Sequence, residues 1–179
     1  MGAVFRSLKS WARSSNNRRN NTTMATVTKV KIEGQYSPIQ AAELQALEQQ
    51  LGATLPADYR EFLLAHNGGC PDPYCFPLPG HEADDCGILN QFLGIEPETD
   101  RDLLTVWQRY QQRVPANLIP IAWDPGGNLI CLAMDAADRG KVYFWDHEAE
   151  CNPGEMPGYD NLLLISDSFA TFLNSFYDL

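Results

Sequence analysis

The chain has no apolar run near the ~18 residues a membrane-spanning helix needs. Its longest uninterrupted stretches, such as LLLI at 162–165, are strand-sized. Its cysteines do not form an even set. Five, at irregular spacing, make no disulfide framework, and a reducing cytosol is the simpler setting. No internal repeat is visible. Acidic residues are absent from positions 1–31, which hold seven Lys/Arg (Arg6, Lys9, Arg13, Arg18, Arg19, Lys29 and Lys31). Beyond them bases are scarce: six, against all 23 acidic residues, a net of −17. A body that acidic repels nucleic acid and anionic lipid and attracts basic protein surfaces. The plainer use of such charge is a solvated surface that keeps the protein soluble.

What is present describes a folded chain. Its 179 residues suffice for one core without staples, and 44% hydrophobic with 11% aromatic content excludes disorder. Residues 1–31 stand apart from a single domain at 32–179. In the head, Val4, Phe5, Leu8, Trp11 and Ala12 fit one helical face opposite Arg6, Lys9 and Arg13, the pattern of an organellar transit peptide. Because SSNNRRNNTT has no reason to fold, a disordered tail or a start at Met24 is preferred. The expected location is therefore cytoplasmic, with the organellar alternative open.

Hydrophobic periodicity orders the rest. Ser37 is the expected N-cap of a first helix, with Pro38 at its first position and Gln40 completing a capping box. Leu44, Leu47 and Leu51 form its stripe, and Gly52 ends it. A second helix starts near Pro56, turns Tyr59, Phe62 and Leu63 inward, and stops at Asn67-Gly68-Gly69, which supplies left-handed backbone. The four prolines of CPDPYCFPLPG then exclude regular structure. GILNQFLGI at 87–95 reads as a strand, and residues 98–113 as a third helix. LIPIAWD (118–124), NLICLAMD (128–135) and KVYFWDHE (141–148) make a three-strand meander, whose middle strand is apolar on both faces. LLLI precedes a final helix capped near Ser166. The predicted class is α+β: N-terminal helices, a central, mostly antiparallel sheet and a C-terminal helix.

The chemistry-bearing residues concentrate in FLLAHNGGCPDPYCFPLPGHEADDC, residues 62–86, which holds His66, His81, Cys70, Cys75 and Cys86. Zinc sites begin from tighter knuckles than this, and Pro71 and Pro73 interrupt the one pair that fits. No metal site is assigned. Cys70 follows a helix C-terminus, where the dipole disfavours a thiolate, and Cys131 sits mid-strand. No G-x-S-x-G is present, and PGGN at 125–128 joins two strands instead of opening a phosphate-binding helix. Asp124 and Asp135 flank that hairpin and could clamp a cation, but acidic residues at strand ends are common. Glu82, Asp84 and Asp85, or Asp146, Glu148 and Glu150, could serve as general acid/base pairs, but nothing in the sequence buries them, so a solvated rim is expected. No catalytic residue and no cofactor are assigned.

Several segments together resemble the SUKH superfamily, which includes the fungal Smi/Knr cell-wall regulators. They are Ile39 to Gly52, LPADYREFLLAHNGG (55–69), LIPIAWDPGGNLICL (118–132), VYFWDHE (142–148) and SFATFLNSF (168–176), in the family's order. The residues that carry the likeness are Leu55, Pro56, Tyr59, Phe62, Asn67, Gly68, Gly69, Pro120, Asp124, Gly126, Gly127, Asn128 and Trp145, which also read as fold-makers. The resemblance implies a non-enzymatic α+β domain. Many bacterial members are immunity proteins that bind toxins, often nucleases, and fungal members are regulators. The expectation is an intracellular antidote to a basic toxin domain, contacting it through Asp72, Glu82, Asp84, Asp85, Glu148 and Glu150. The alternatives are a regulatory or scaffold protein and, last, a metal protein built on residues 62–86. Neither a nucleic acid nor a membrane partner is expected.

Overall fold

A computed structural model describes residues 30–80, 86–152 and 154–178. The expectations for residues 1–29, and for His81, Glu82, Asp84 and Asp85, lie outside these described residues.

The chain runs β1 (Lys31–Glu33), α1 (Ala41–Leu51), α2 (Ala57–His66), β2 (Cys70–Asp72), β3 (Cys75–Pro77), β4 (Cys86–Ile88), β5 (Gln91–Phe92), α3 (Leu103–Tyr110), β6 (Leu118–Trp123), β7 (Leu129–Ala133), β8 (Val142–Trp145), β9 (Leu162–Ser166) and α4 (Phe169–Asn174). The fold is α+β. The meander β6-β7-β8 is the middle of a five-stranded antiparallel sheet ordered β5-β6-β7-β8-β9. Two-stranded ribbons, β1-β2 and β3-β4, complete the strands.

The two-faced character of β7 organises the core, since side chains alternate across a strand. Ile130 and Leu132 enter the main core, with Leu44, Tyr59, Phe62, Leu63 and Phe169 from the helices. Leu129, Cys131 and Ala133 enter a smaller cluster with Val114, Leu118, Tyr143 and Trp145. All five β7 residues are buried. In the main core Phe62 packs against Phe92 at 4.9 Å and Phe169 at 5.0 Å between ring centroids. Each fully buried aromatic or aliphatic side chain contributes roughly 1.5–3 kcal/mol.

Several elements differ from the sequence expectation. α1 begins at Ala41 with Gln40, not Ser37, as N-cap, and the Gln40 N–H donates to Glu43 Oε2 at 2.8 Å. Ser37 is held outside the helix, where its carbonyl accepts from Asn67 Nδ2 at 2.8 Å. The proline-rich segment forms two short strands after all. Pro71 sits opposite Ile32 in a two-stranded ribbon, where a missing N–H is tolerated. Residues 87–95 are not one strand. β4 pairs with β3 and β5 with β6, and the switch occurs where Leu89 N–H donates to the Tyr74 carbonyl and Asn90 N–H to that of Trp123. α3 is shorter than 98–113 because Asp102 caps it, accepting from Thr105 N–H at 2.9 Å. α4 is capped by Ser168 instead of Ser166, its hydroxyl accepting from Thr171 N–H at 3.1 Å.

The exit of α2 is left-handed over three residues: Asn67 at φ 49, Gly68 at φ 86 and Gly69 at φ 116. A Cβ on Gly69 would lie 2.6 Å from the Glu33 carbonyl oxygen and 2.8 Å from Ile32 Cγ2. Gly69→Ala is therefore expected to destabilise the fold by about 1–3 kcal/mol, combining an unfavourable φ with a backbone clash. Chemical denaturation checks this, and an unchanged midpoint would show that β1 yields freely.

Candidate functional site

Three hydrogen-bonded arrangements are among those that brace the polar residues of the fold. The first is the β6–β7 hairpin tip. Asp124 Oδ1 accepts the backbone N–H of Asn128 and Oδ2 accepts its Nδ2, both at 2.7 Å. Asn128 Oδ1 in turn accepts the His147 backbone N–H at 3.0 Å and lies 2.7 Å from His147 Nδ1. A carboxamide oxygen only accepts, so the proton of a neutral His147 sits on Nδ1 and leaves Nε2 as acceptor. Gly127, at φ 97, permits the turn. The network ties the hairpin to the end of β8. It engages both oxygens of the Asp124 carboxylate, which makes that group a brace.

The second arrangement lies beyond β8. Arg113 Nε and Nη2 grip Glu150 Oε1 and Oε2 at 2.6 Å each, a bidentate pair. The guanidinium lies over Tyr110 at 4.5 Å and Trp145 at 5.5 Å from the ring centroids. This anchors the segment after β8 to the end of α3. The third joins α1 to α2. Glu48, only 9% exposed, accepts Arg60 Nη1 on both carboxylate oxygens at 2.7 and 2.8 Å, and accepts the Leu55 N–H at 2.8 Å.

The expected partner-binding residues are not gathered in one place. Asp72 is exposed at the end of β2, in the ribbon beside β5. Glu148 and Glu150 follow β8, three strands across the sheet from β5. Glu148 is exposed, but Glu150 is not the solvated rim residue that was expected, because Arg113 holds it. The family-motif residues are buried or locked. Leu55, Tyr59, Phe62, Asn67 and Trp145 are at most 4% exposed. Pro56 is buried as the N-cap of α2, and Pro120 is buried in β6. A Cβ on Gly126 would sit 3.3 Å from Asp124 Oδ1. Neither the Arg113–Glu150 pair nor the His147 contact was foreseen. Their partners are 37 and 19 residues apart, beyond any local pattern.

Among the described residues no three His, Cys, Asp or Glu side chains form a set able to hold a metal ion. Cys75 is buried in β3 and its thiol is pushed up to about 11, first by burial and then by the hydrogen bond with Cys86. Burial also raises the Cys131 thiol, which has no exposure. His66 closes α2 with Nδ1 3.1 Å from Gln35 Nε2, and burial lowers its basicity. None of these is a poised nucleophile or base.

Arg113 holds the Glu150 carboxyl below its ordinary 4.5. A carboxyl whose folded-state value is depressed contributes stability above its ordinary value and loses it as pH falls through the folded one. Glu150→Gln should therefore lower the melting midpoint at neutral pH, with the gap to wild type closing below about pH 4. Thermal melts across that range check it. A gap independent of pH would assign the effect to packing.

The chain matches the SMI1 / KNR4 family (SUKH-1) over residues 38–175, from the approach to α1 to the end of α4. It is 34% identical over 163 residues to the "SPbeta prophage-derived uncharacterized protein YokK" of Bacillus subtilis (strain 168), covering 81% of this chain and 79% of the relative. The matched span takes in the capped helices, the Asn67-Gly68-Gly69 corner and the Asp124–Asn128 hairpin. The chain belongs to the SMI1 / KNR4 family, the SUKH-1 branch of the SUKH domains.

Proposed function

We propose that the chain is a non-enzymatic cytoplasmic binding protein that neutralises a basic toxin domain. Domains of this family bind protein partners as immunity proteins. The observation that carries the choice of a basic partner is how the fold uses its cations. Of the seven Lys/Arg among the described residues, Lys31, Arg60, Arg101, Arg113 and Lys141 pair with carboxylates. Arg139 donates to the carbonyls of Met134 and Thr54. Six of the seven cations are thus engaged within the body, Arg109 being the exposed exception, while acidic residues outnumber them and most face solvent. Such a surface steers a basic protein toward encounter and gives it charge complementarity on docking. All five cysteines are free, as suits a reducing compartment.

Exposed Asp72 and Glu148 belong to this surface, and Glu82, Asp84 and Asp85 are the further contributors expected from the sequence. The reading is tested by co-expressing the chain with the product of a toxin gene adjacent to its own. Protection of the cell is expected. Association should slow as salt shortens the Debye length from ~30 Å to ~8 Å, with dissociation changing less. Reversal of Asp84 and Asp85 to Lys should weaken protection without unfolding the protein. Undiminished protection together with salt-independent association would overturn the acidic mechanism. If no toxin is encoded nearby, the regulatory reading gains.

A further inference from the structure

A cleft of about 450 Å³ opens between α1 and the segment leading into α3. Ala46 and Leu47 of α1, Ile95 after β5 and Leu104 of α3 give it an apolar floor. Glu43 and Glu98, both exposed, stand on its rim, Glu43 giving one oxygen to the Gln40 N–H and leaving the other for a partner, and among the described residues none in the lining is Lys or Arg. Asp102 also lines it, but its carboxylate is occupied by Thr105 and the Glu96 N–H. Arg101, the nearest cation in sequence, lies 3.9 Å from Asp100. Of the partner-binding residues expected from the sequence, Asp72, Glu148 and Glu150, the ones among the described residues, do not line the cleft.

The two features of the cleft make different demands. An apolar floor in water gains free energy when an apolar side chain covers it. A neutral ligand that did so would take the rim carboxylates partly out of water without a counter-charge, which is costly. A purely cationic ligand would satisfy Glu43 and Glu98 but leave the floor wet. A segment that inserts an apolar side chain and sets Lys or Arg beside it meets both demands. We propose that this cleft is the contact site for a basic segment of a partner protein that places one large apolar side chain over Ile95 and Leu104, with cationic side chains against Glu43 and Glu98. The inference rests on the reading of the chain as a binder of basic protein and names where on the acidic body the partner sits.

The full-length chain is titrated with a short synthetic helix of leucine and lysine, with lysine-only and leucine–glutamate peptides as controls. The leucine–lysine peptide is expected to bind most tightly and to shift the amide resonances of Ala46, Leu47, Ile95 and Leu104. Glu43→Lys combined with Glu98→Lys should weaken it about tenfold or more, and Glu148→Lys less than about threefold. Because Glu43 also serves the α1 capping box, Ala46→Arg provides a second variant. Ala46 is exposed in mid-helix, and Arg there keeps helix propensity while obstructing the cleft. Binding that is unmoved by either variant, or shifts centred elsewhere, overturns the cleft while leaving the basic-partner reading in place. Failure of the toxin co-expression test with cleft-dependent peptide binding intact counts against that reading alone. Two other occupants would also overturn the proposal. Tighter peptide binding after Arg6, Lys9 and Arg13 are replaced by Glu would identify the chain's own head. A dimer abolished by Ala46→Arg would identify a second copy.

Discussion

The placement of the helices against the sheet depends on Asn67. Its side chain is buried to 1% exposure and makes three bonds to segments about thirty residues away on either side. Nδ2 donates to the carbonyls of Ser37, ahead of α1, and Ile95, ahead of α3, at 2.8 and 3.1 Å. Oδ1 accepts the Ile95 N–H at 2.8 Å. One carboxamide thus ties the end of α2 to the approaches of two other helices. Aspartate has no proton to offer those carbonyls, and alanine would leave two carbonyls and an N–H without these partners. Its own backbone is left-handed at φ 49, which asparagine tolerates better than most residues. Gly94 completes the corner, since a Cβ there would lie 2.4 Å from the Asn67 carbonyl oxygen.

From this corner the rest of the architecture follows. With α1 and α2 fixed, their apolar stripes close one face of the five-stranded sheet, and Phe62 meets Phe92 and Phe169 at the centre. α4 is drawn to the same place by Asp58, whose Oδ2 accepts the Ala170 N–H at 2.9 Å across the α2–α4 contact. The opposite face needs its own cover because β7 is apolar on both sides. The end of α3 and the residues after it supply it, through Val114 and Tyr110 packed with Trp145. The Arg113–Glu150 pair sits at this second cover. It holds the segment after β8 beside this smaller cluster.

Much of this was legible in the sequence where the signal is periodic or local. The stripe of Leu44 and Leu47, the inward set Tyr59, Phe62 and Leu63, the two-faced β7 and the left-handed exit of α2 all follow from spacing and residue chemistry. The starts of α3 and α4 were misread for local reasons, Asp102 and Ser168 being the caps, while the other misreadings come from pairings made at a distance. Ser37 looks like a cap, but its carbonyl belongs to Asn67, so α1 starts at Ala41. Residues 87–95 look like one strand because nothing in their sequence says that β4 and β5 pair with different neighbours. Prolines at 71 and 77 argued against strands, yet each lies in a two-stranded ribbon where half the backbone groups need no partner. The α1–α3 cleft was invisible for a related reason. Its floor residues read as ordinary core positions until two separate elements leave them facing the same gap.

The same long-range pairing explains why net charge alone says little about the surface. Glu48 and Glu150 are carboxylates spent on the interior of the fold, and Asp102 and Asp124 are spent on a cap and a hairpin. Each is held by donors that the fold provides, and none of them is available to steer a partner. The acidic character that remains outside belongs to groups such as Asp72, Glu98 and Glu148, which are exposed. Charge held by internal braces is fixed by stability, because removing one partner strands the other. Exposed charge is fixed by nothing in the fold and is free to follow the surface it meets. Differences between related chains are therefore expected at the exposed carboxylates and the cleft that Glu98 borders. The braces have no such freedom.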